Sequence, residues 1–435
     1  MHAAWPDELY AEAAWPVALA CLELLSDEAR WIHRRVETVD LLAQELVRRQ
    51  VTVEFTLPAP LLDELRIGPE GPWCVPIAIL EKQPLRHFDL LEDDEWRPIL
   101  GRQHNGPIAS ALVLASARLA IGSETVDSDV RLQLDRVAQG DPDDARAAMA
   151  ILRRRSEHEA QVATILDHDT SGYFVETFAE SYMLIALLAK PRGRRILKYS
   201  YDEHLRFIRG RPGRARRLAG RLGWSPLVID IAVPTAAHTA SYHAEVVVPE
   251  ELRIDAVVRD AVTNELLSTD IERSVDRASL HAPGVALDAD PLLKVAVSAE
   301  RSGVPTLAFV ISAVTALLLL LGAAIGRLGS PTAGSSVAVL LAGSVLFAAT
   351  VARGGEHRLV RGIFVGQRWL LSITAIAALA AAASVAFGAS PGVRDKIWYA
   401  AGGASALACL GLAVAFGQAE PLKRSQRGPG TDDRT

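Results

Sequence analysis

Cysteine, methionine and lysine are all scarce in this 435-residue chain, which has three Cys, three Met and six Lys against forty Arg. Cys21, Cys74 and Cys409 are far apart, so neither a disulfide framework nor a cysteine zinc cluster is available, and a reducing compartment fits. The lysine deficit, with abundant Ala and Leu, reads as the codon bias of a high-GC genome rather than an arginine-rich binding code. Familiar catalytic motifs are missing too: there is no P-loop, no GxGxxG after a strand, no HExxH, no GxSxG elbow and no protein-kinase signature. The glycines of GRPGR (210–214) lack the flanking strand and helix of a phosphate cradle. No catalytic residue, cofactor or metal is assigned on this basis. The first 25 residues have no positively charged stretch and are interrupted by Asp7, Glu8, Glu12 and Pro16, unlike a secretory signal.

Charge is also missing from four apolar runs, 304–326, 336–352, 369–388 and 397–416, none of which contains Asp, Glu, Lys, Arg or His. A helix of ~20 apolar residues crosses a hydrocarbon core of ~30 Å, and a run of 17 covers most of it. Four such runs in close succession predict a transmembrane four-helix bundle over 303–417, followed by a disordered basic tail, 418–435. Without ionisable groups at depth, the bundle offers no proton relay or voltage sensor. Gly322 and Gly326 form a GxxxG pair, which predicts close helix packing, either within one chain or in a homo-oligomer.

Arg353, Arg358, Arg361 and Arg368 lie between the second and third runs, and Lys423, Arg424, Arg427 and Arg434 lie in the tail. The opposite face has only Arg327, Arg394 and Lys396. The positive-inside rule then puts both termini and residues 1–303 in the cytoplasm, beneath a plasma membrane. From residue 304 onward there are eleven basic and five acidic residues, a balance of +6, so the chain total of −6 leaves −12 on residues 1–303. Such a region is poorly suited to nucleic acid and better suited to a cytoplasmic protein partner.

The region before the membrane reads as α+β. Residues 17–49 carry Trp31, Ile32, Val36, Val39, Leu42 and Leu46 at helical spacing behind Ser26, and predict a helix. Short β-branched segments at 51–58, 73–82 and 87–91 predict a small sheet, so 1–104 is read as one helix-plus-sheet unit. Asn105–Gly106–Pro107 and Asp141–Pro142 resemble helix starts, which makes 105–222 mainly helical. The run 182–189 is read as a buried helix turn. Residues 223–302 alternate in strand fashion and predict a juxtamembrane antiparallel β-sandwich.

Residues 187–221 hold twelve basic side chains against Asp202 and Glu203. This segment is read as a solvated face or internal partner of the acidic regions, or as a contact for anionic lipid headgroups through Arg209, Arg211, Arg214, Arg216 and Arg217. His243 and Glu245 share one face of a predicted strand, a spacing found in metal sites and more often in structural polar pairs. The acidic clusters 92–95 and 167–169 are read as solvated turns rather than cation sites.

The SYHAEV segment at 241–246 with Pro249, the RILKYSY segment at 195–201, and GEHRL at 355–359 resemble an uncharacterised family of high-GC bacterial multi-pass membrane proteins. The resemblance covers about the second half of the chain and implies the architecture without an activity. Three functional classes are open: a membrane-anchored interaction or sensing module, a channel or transport component, and a membrane-bound enzyme acting on lipid or envelope precursors.

Overall fold

The computed structural model describes residues 7–43, 46–189, 192–204, 227–232, 241–249, 252–260, 270–273, 277–283, 292–299, 304–325 and 364–417, with the single residues 219, 222, 224, 226, 239 and 360. The tail 418–435, the apolar run 336–352, Gly326 and the five candidate headgroup arginines lie outside the described residues.

The chain opens with helix α1 (Asp7–Ser26) and then turns to strands β1 (Ile32–Ala43) and β2 (Leu46–Phe55), where the sequence spacing predicts a continuous helix. The helical spacing is misleading because Arg35 and Glu37 occupy inward positions of β1. The true two-residue period is thereby hidden from a hydrophobicity pattern. After β3 (Trp73–Glu81) comes a hairpin of β4 (Arg86–Glu92) and β5 (Glu95–Trp96). Asp93 and Asp94 form its turn, both with positive φ (50° and 67°), as a type I′ turn requires.

Five helices follow: α2 (Arg102–Ile121), α3 (Ser128–Gln139), α4 (Pro142–Ser156), α5 (Ala160–Asp167) and α6 (Asp169–Glu180). Asp141 caps α4 by accepting from the amides of Asp143 and Asp144, as its sequence predicts. Asn105 is no cap, because α2 begins at Arg102 and the Asn105 amide instead donates to the Met183 carbonyl. Residues 182–189 are not a helix turn: β6 (Ser181–Leu188) is a strand paired with β3. A strand buried on both faces reads as an unbroken apolar run, which periodicity alone does not separate from a helix.

The remaining strands are β7 (Arg195–His204), β8 (Leu227–Ala232), β9 (Ser241–Val247), β10 (Leu252–Asp260), β11 (Asp270–Arg273), β12 (Arg277–Pro283) and β13 (Leu292–Ala299). They do not form a separate antiparallel sandwich. An eight-stranded mixed sheet runs in the order β11-β12-β9-β1-β2-β7-β4-β5, with β9 parallel to β1, and a three-stranded sheet runs β10-β13-β8. The large sheet takes strands from 1–104, 105–222 and 223–302, so those sequence-based boundaries do not separate independent sheets. Pairing across such separations depends on tertiary contacts that local pattern does not encode.

Lys82, just past β3, donates to the carbonyls of Val137 (2.7 Å) and Gly140 (3.1 Å) at the end of α3. Partial burial and nearby Arg102 push its pKa down to about 8. A depressed folded-state pKa means that between about pH 8 and 10.5 the unfolded chain binds more protons, so this group makes stability rise with pH across that window. The difference in unfolding midpoint between wild type and Lys82→Met is therefore expected to move in the wild type's favour from pH 8 to 10.5. A difference that stays flat would show that Lys82 is solvated as an ordinary ammonium.

Beyond β13 the described residues include three helices long and apolar enough to cross a membrane: α7 (Val304–Ile325), α8 (Val365–Ala386) and α9 (Pro391–Gly417). Ala308 and Ile311 of α7 pack with Leu371 and Leu412, while Leu319 and Ala323 pack with Ala377, Ala381, Trp398 and Ala401. Thus α7 and α8 run parallel, and α9 runs antiparallel to both. Among their large outward side chains are the apolar Leu317, Trp369, Ile376, Leu407 and Leu410. Such a surface suits lipid rather than water.

Candidate functional site

The inward face of the large sheet carries two apolar cores with a charged seam between them. Along β1, Trp31 and Ile32 belong to the first core and Val39 and Leu41 to the second, with Arg35 and Glu37 in between. Along β2, Val47 belongs to the second core and Val51, Val53 and Phe55 to the first, with Arg49 in between. Antiparallel register brings Arg49 opposite Tyr201 of β7, and parallel register brings Tyr242 of β9 opposite Arg35.

The seam is dry. Arg35 is 1% exposed, Glu37 2%, Arg49 5% and Tyr242 0%. Arg49 pairs through Nη1 with Glu37 Oε1 and donates from Nε to Glu203 Oε2 at 2.8 Å. The Tyr242 hydroxyl donates to the other Glu37 oxygen, and Arg35 Nη2 donates to the Ile77 carbonyl at 3.1 Å. Burial opposes the Arg49 charge, but Tyr201, Glu203 and Tyr242 outweigh it and hold its pKa up. Burial also raises the Tyr199, Tyr201 and Tyr242 phenols, so all three stay neutral at physiological pH. Arg49 is matched by Glu37 and Glu203, whereas Arg35 reaches the Ile77 carbonyl and its Nε and Nη1 are buried without a hydrogen-bond partner among the described residues; across the four side chains the charges balance, two of each sign.

The second core also reaches the membrane helices. Val360 and Phe364, 0% and 1% exposed, pack in it with strands β8, β9, β10 and β13, and Phe364 immediately precedes α8. Trp224 Nε1 donates to the Gly411 carbonyl of α9 at 2.7 Å, and β13 is followed after a short link by α7. Phe364 thus ties the start of α8 to the β-layers, and Trp224, three residues before β8, contacts α9.

His243 and Glu245 lie on the opposite, solvent-facing side of the sheet, where Glu245 pairs with Arg277 at 3.2 Å. Among the described residues no group of three or more His, Cys, Asp or Glu is arranged to hold a metal. Within the 92–95 cluster, Glu92 and Glu95 pair with Arg97, Asp93 with Arg195 and Asp94 with Lys198, so these carboxylates serve the hairpin. His168 caps α6 through the Ser171 amide. On the same outer face as His243, Asp202 accepts from Arg48 (3.3 Å) and lies 2.6 Å from His87 Nδ1. Gly322 sits against Trp398 of α9, where an added Cβ would come within 2.5 Å of the ring. Gly322 thus packs inside the chain.

Sequence reasoning did not find the seam. The signal was present in LVRRQVTVEF: once Val47, Val51, Val53 and Phe55 are read as the inward set, Arg49 falls on the same face. Searches of family models, curated proteins and solved structures find no match to this chain.

Proposed function

We propose that this chain is a multi-pass plasma-membrane protein whose cytoplasmic α/β region binds or senses a partner and is coupled through the second core to a four-helix membrane anchor. The observation that carries the reading is the burial of Val360 and Phe364 among strands that also precede α7. A displacement of the sheet at that core acts directly on the start of α8, because packed cores are stiff. Support for a fourth crossing comes from the parallel arrangement of α7 and α8. The chain leaves the β-layers at Val304, and α7 carries it roughly 33 Å away, yet it is back at the same core by Val360. The apolar run 336–352 has the composition to supply the return. Support for the orientation comes from the arginines at 353, 358, 361 and 368, which flank the buried Phe364. The arginines at 209, 211, 214, 216 and 217 are proposed to touch anionic headgroups on that face.

Protease treatment of spheroplasts carrying tags at both termini tests this reading. Both tags are expected to survive until the membrane is permeabilised. Digestion of the amino-terminal tag in intact spheroplasts would reverse the orientation and make the α/β region an extracytoplasmic receptor.

A further inference from the structure

The three described membrane helices share one register, which fixes their relative depth. Ser312 Oγ of α7 lies 3.2 Å from Thr374 Oγ1 of α8, and Leu371 of α8 packs with Leu412 of α9. Toward the other end, Trp398 Nε1 of α9 donates to the Ala381 carbonyl at 3.2 Å, and the ring lies against Gly322 of α7. Charge within these helices is confined to Arg368 of α8 and to Arg394, Asp395 and Lys396 of α9, at opposite ends of the bundle. Between those ends the exposed side chains include Val314, Leu317, Ile373, Ile376, Leu407 and Leu410. Two aromatic side chains mark the limits of this apolar band. Trp369, 68% exposed, follows Arg368, and Phe387, 88% exposed, closes α8. The rise between them along the helix is about 27 Å, close to the ~30 Å of a hydrocarbon core. Lys396 and Tyr399 of α9 are exposed at the Phe387 end, where a membrane–water interface accommodates a basic group and an amphipathic ring.

Trp224 reaches the depth of Trp369 although it belongs to the β-side of the chain, three residues before β8. Its indole Nε1 donates to the Gly411 carbonyl at 2.7 Å, and Gly411 faces Leu370, the neighbour of Trp369. Resting on the membrane-spanning reading above, we propose that one bilayer interface passes through Trp369 and Trp224, so that the chain entering β8 is seated in the lipid headgroup layer. An indole suits that place because its ring is apolar while its N–H needs an acceptor, supplied here by a helix carbonyl. Phe364 lies five residues before Trp369 at the entry to α8, about 7.5 Å further out. The interfacial layer on each side of the hydrocarbon is about 5–7 Å deep. The second core, which holds Phe364, therefore abuts the headgroups instead of standing off from them, and the partner of this surface is the phospholipid interface itself.

The test uses the full-length chain in phosphatidylcholine–phosphatidylglycerol vesicles with Cys409→Ala as background; Cys21 and Cys74 are buried in the first core. Spin labels at Trp224→Cys, Trp369→Cys, Ile376→Cys and Phe387→Cys, and at Leu132→Cys on the exposed side of α3, report collisions with oxygen and with a nickel chelate. Oxygen partitions into lipid, and the chelate stays in water. The oxygen-to-nickel ratio is expected to be severalfold higher at Ile376 than at Trp369, Phe387 and Trp224, which agree with one another, and lowest at Leu132. A Trp224 label as open to nickel as that at Leu132, with Ile376 still in lipid, overturns the docking and leaves the spanning reading intact. A Trp224 ratio equal to that at Ile376 overturns the placement of the boundary. Nickel access at Ile376 removes the spanning reading and the docking with it. Because Trp224→Cys loses the bond to Gly411, the intact indole is read separately, as the fluorescence that wild type has and Trp224→Phe lacks. That difference is expected to be quenched more strongly by phospholipid brominated near the headgroup than near the chain ends. No quenching by either lipid would also overturn the docking.

Discussion

Replacing Glu37 by alanine is expected to destabilise the α/β region by about 3–5 kcal/mol, the range seen when one partner of a buried ion pair is removed. The substitution removes a partner from two groups at once. Arg49 keeps Glu203 as a carboxylate partner, the Tyr242 hydroxyl loses its acceptor, and a net positive charge is left beside Arg35, Arg49 and Tyr242, each at most 5% exposed. With total stabilities of about 5–15 kcal/mol for typical domains, such a loss takes much of the margin. Glu37→Gln keeps an acceptor for Tyr242 and is expected to lose less. Denaturant titration of the purified protein checks both. A Glu37→Ala midpoint equal to wild type would show that water reaches the seam and that the two cores are less tightly joined than their packing indicates. Replacing the whole set together, Arg35→Met, Glu37→Leu, Arg49→Met, Glu203→Gln and Tyr242→Phe, is expected to recover stability, since matched buried charges are often replaceable by apolar side chains.

Phe364→Ala should be nearly as damaging, by about 3–5 kcal/mol for a fully buried aromatic, but at a different place. Phe364 is 1% exposed in the second core and is the residue from which α8 departs. Its truncation leaves a cavity between the β-layers and the bundle rather than inside either. Hydrogen exchange is expected to accelerate in β8, β9 and β13 and in the first turns of α8, with the first core around Val51, Phe174 and Ile185 unchanged. Uniform acceleration across both cores would mean that the α/β region unfolds as one unit. Acceleration confined to α8 would mean that Phe364 anchors the helix without supporting the sheets, and the proposed coupling would lose its physical link.

The contrast between Glu37 and Phe364 also shows where sequence reading reaches its limit. The apolar runs at 304–326, 369–388 and 397–416 announce themselves because burial in lipid demands composition alone, whatever the neighbours; α7, α8 and α9 lie over them, with α8 and α9 starting a few residues earlier. The Asp141–Pro142 helix start was equally legible, since a cap is a contact between near neighbours. Phe364 was not, because nothing local distinguishes a phenylalanine that enters a core from one that faces lipid. The strand β1 was misleading for a stronger reason: Arg35 and Glu37 sit inward, against the rule that charge faces out, and so erase the alternation that identifies a strand.

What the sequence by itself determined was therefore the set of properties that depend on composition or on contacts a few residues apart: a membrane segment, an acidic α+β region before it, the Asp141 cap, and the absence of familiar catalytic motifs. The tertiary structure decided which strands share a sheet, that β9 lies parallel to β1, that Arg49 meets both Glu37 and Glu203, and that Gly322 receives Trp398. These are pairings between residues 12 to 205 positions apart in the seam. Chain connectivity leaves such partners undetermined, and only the joint burial of many groups selects among them.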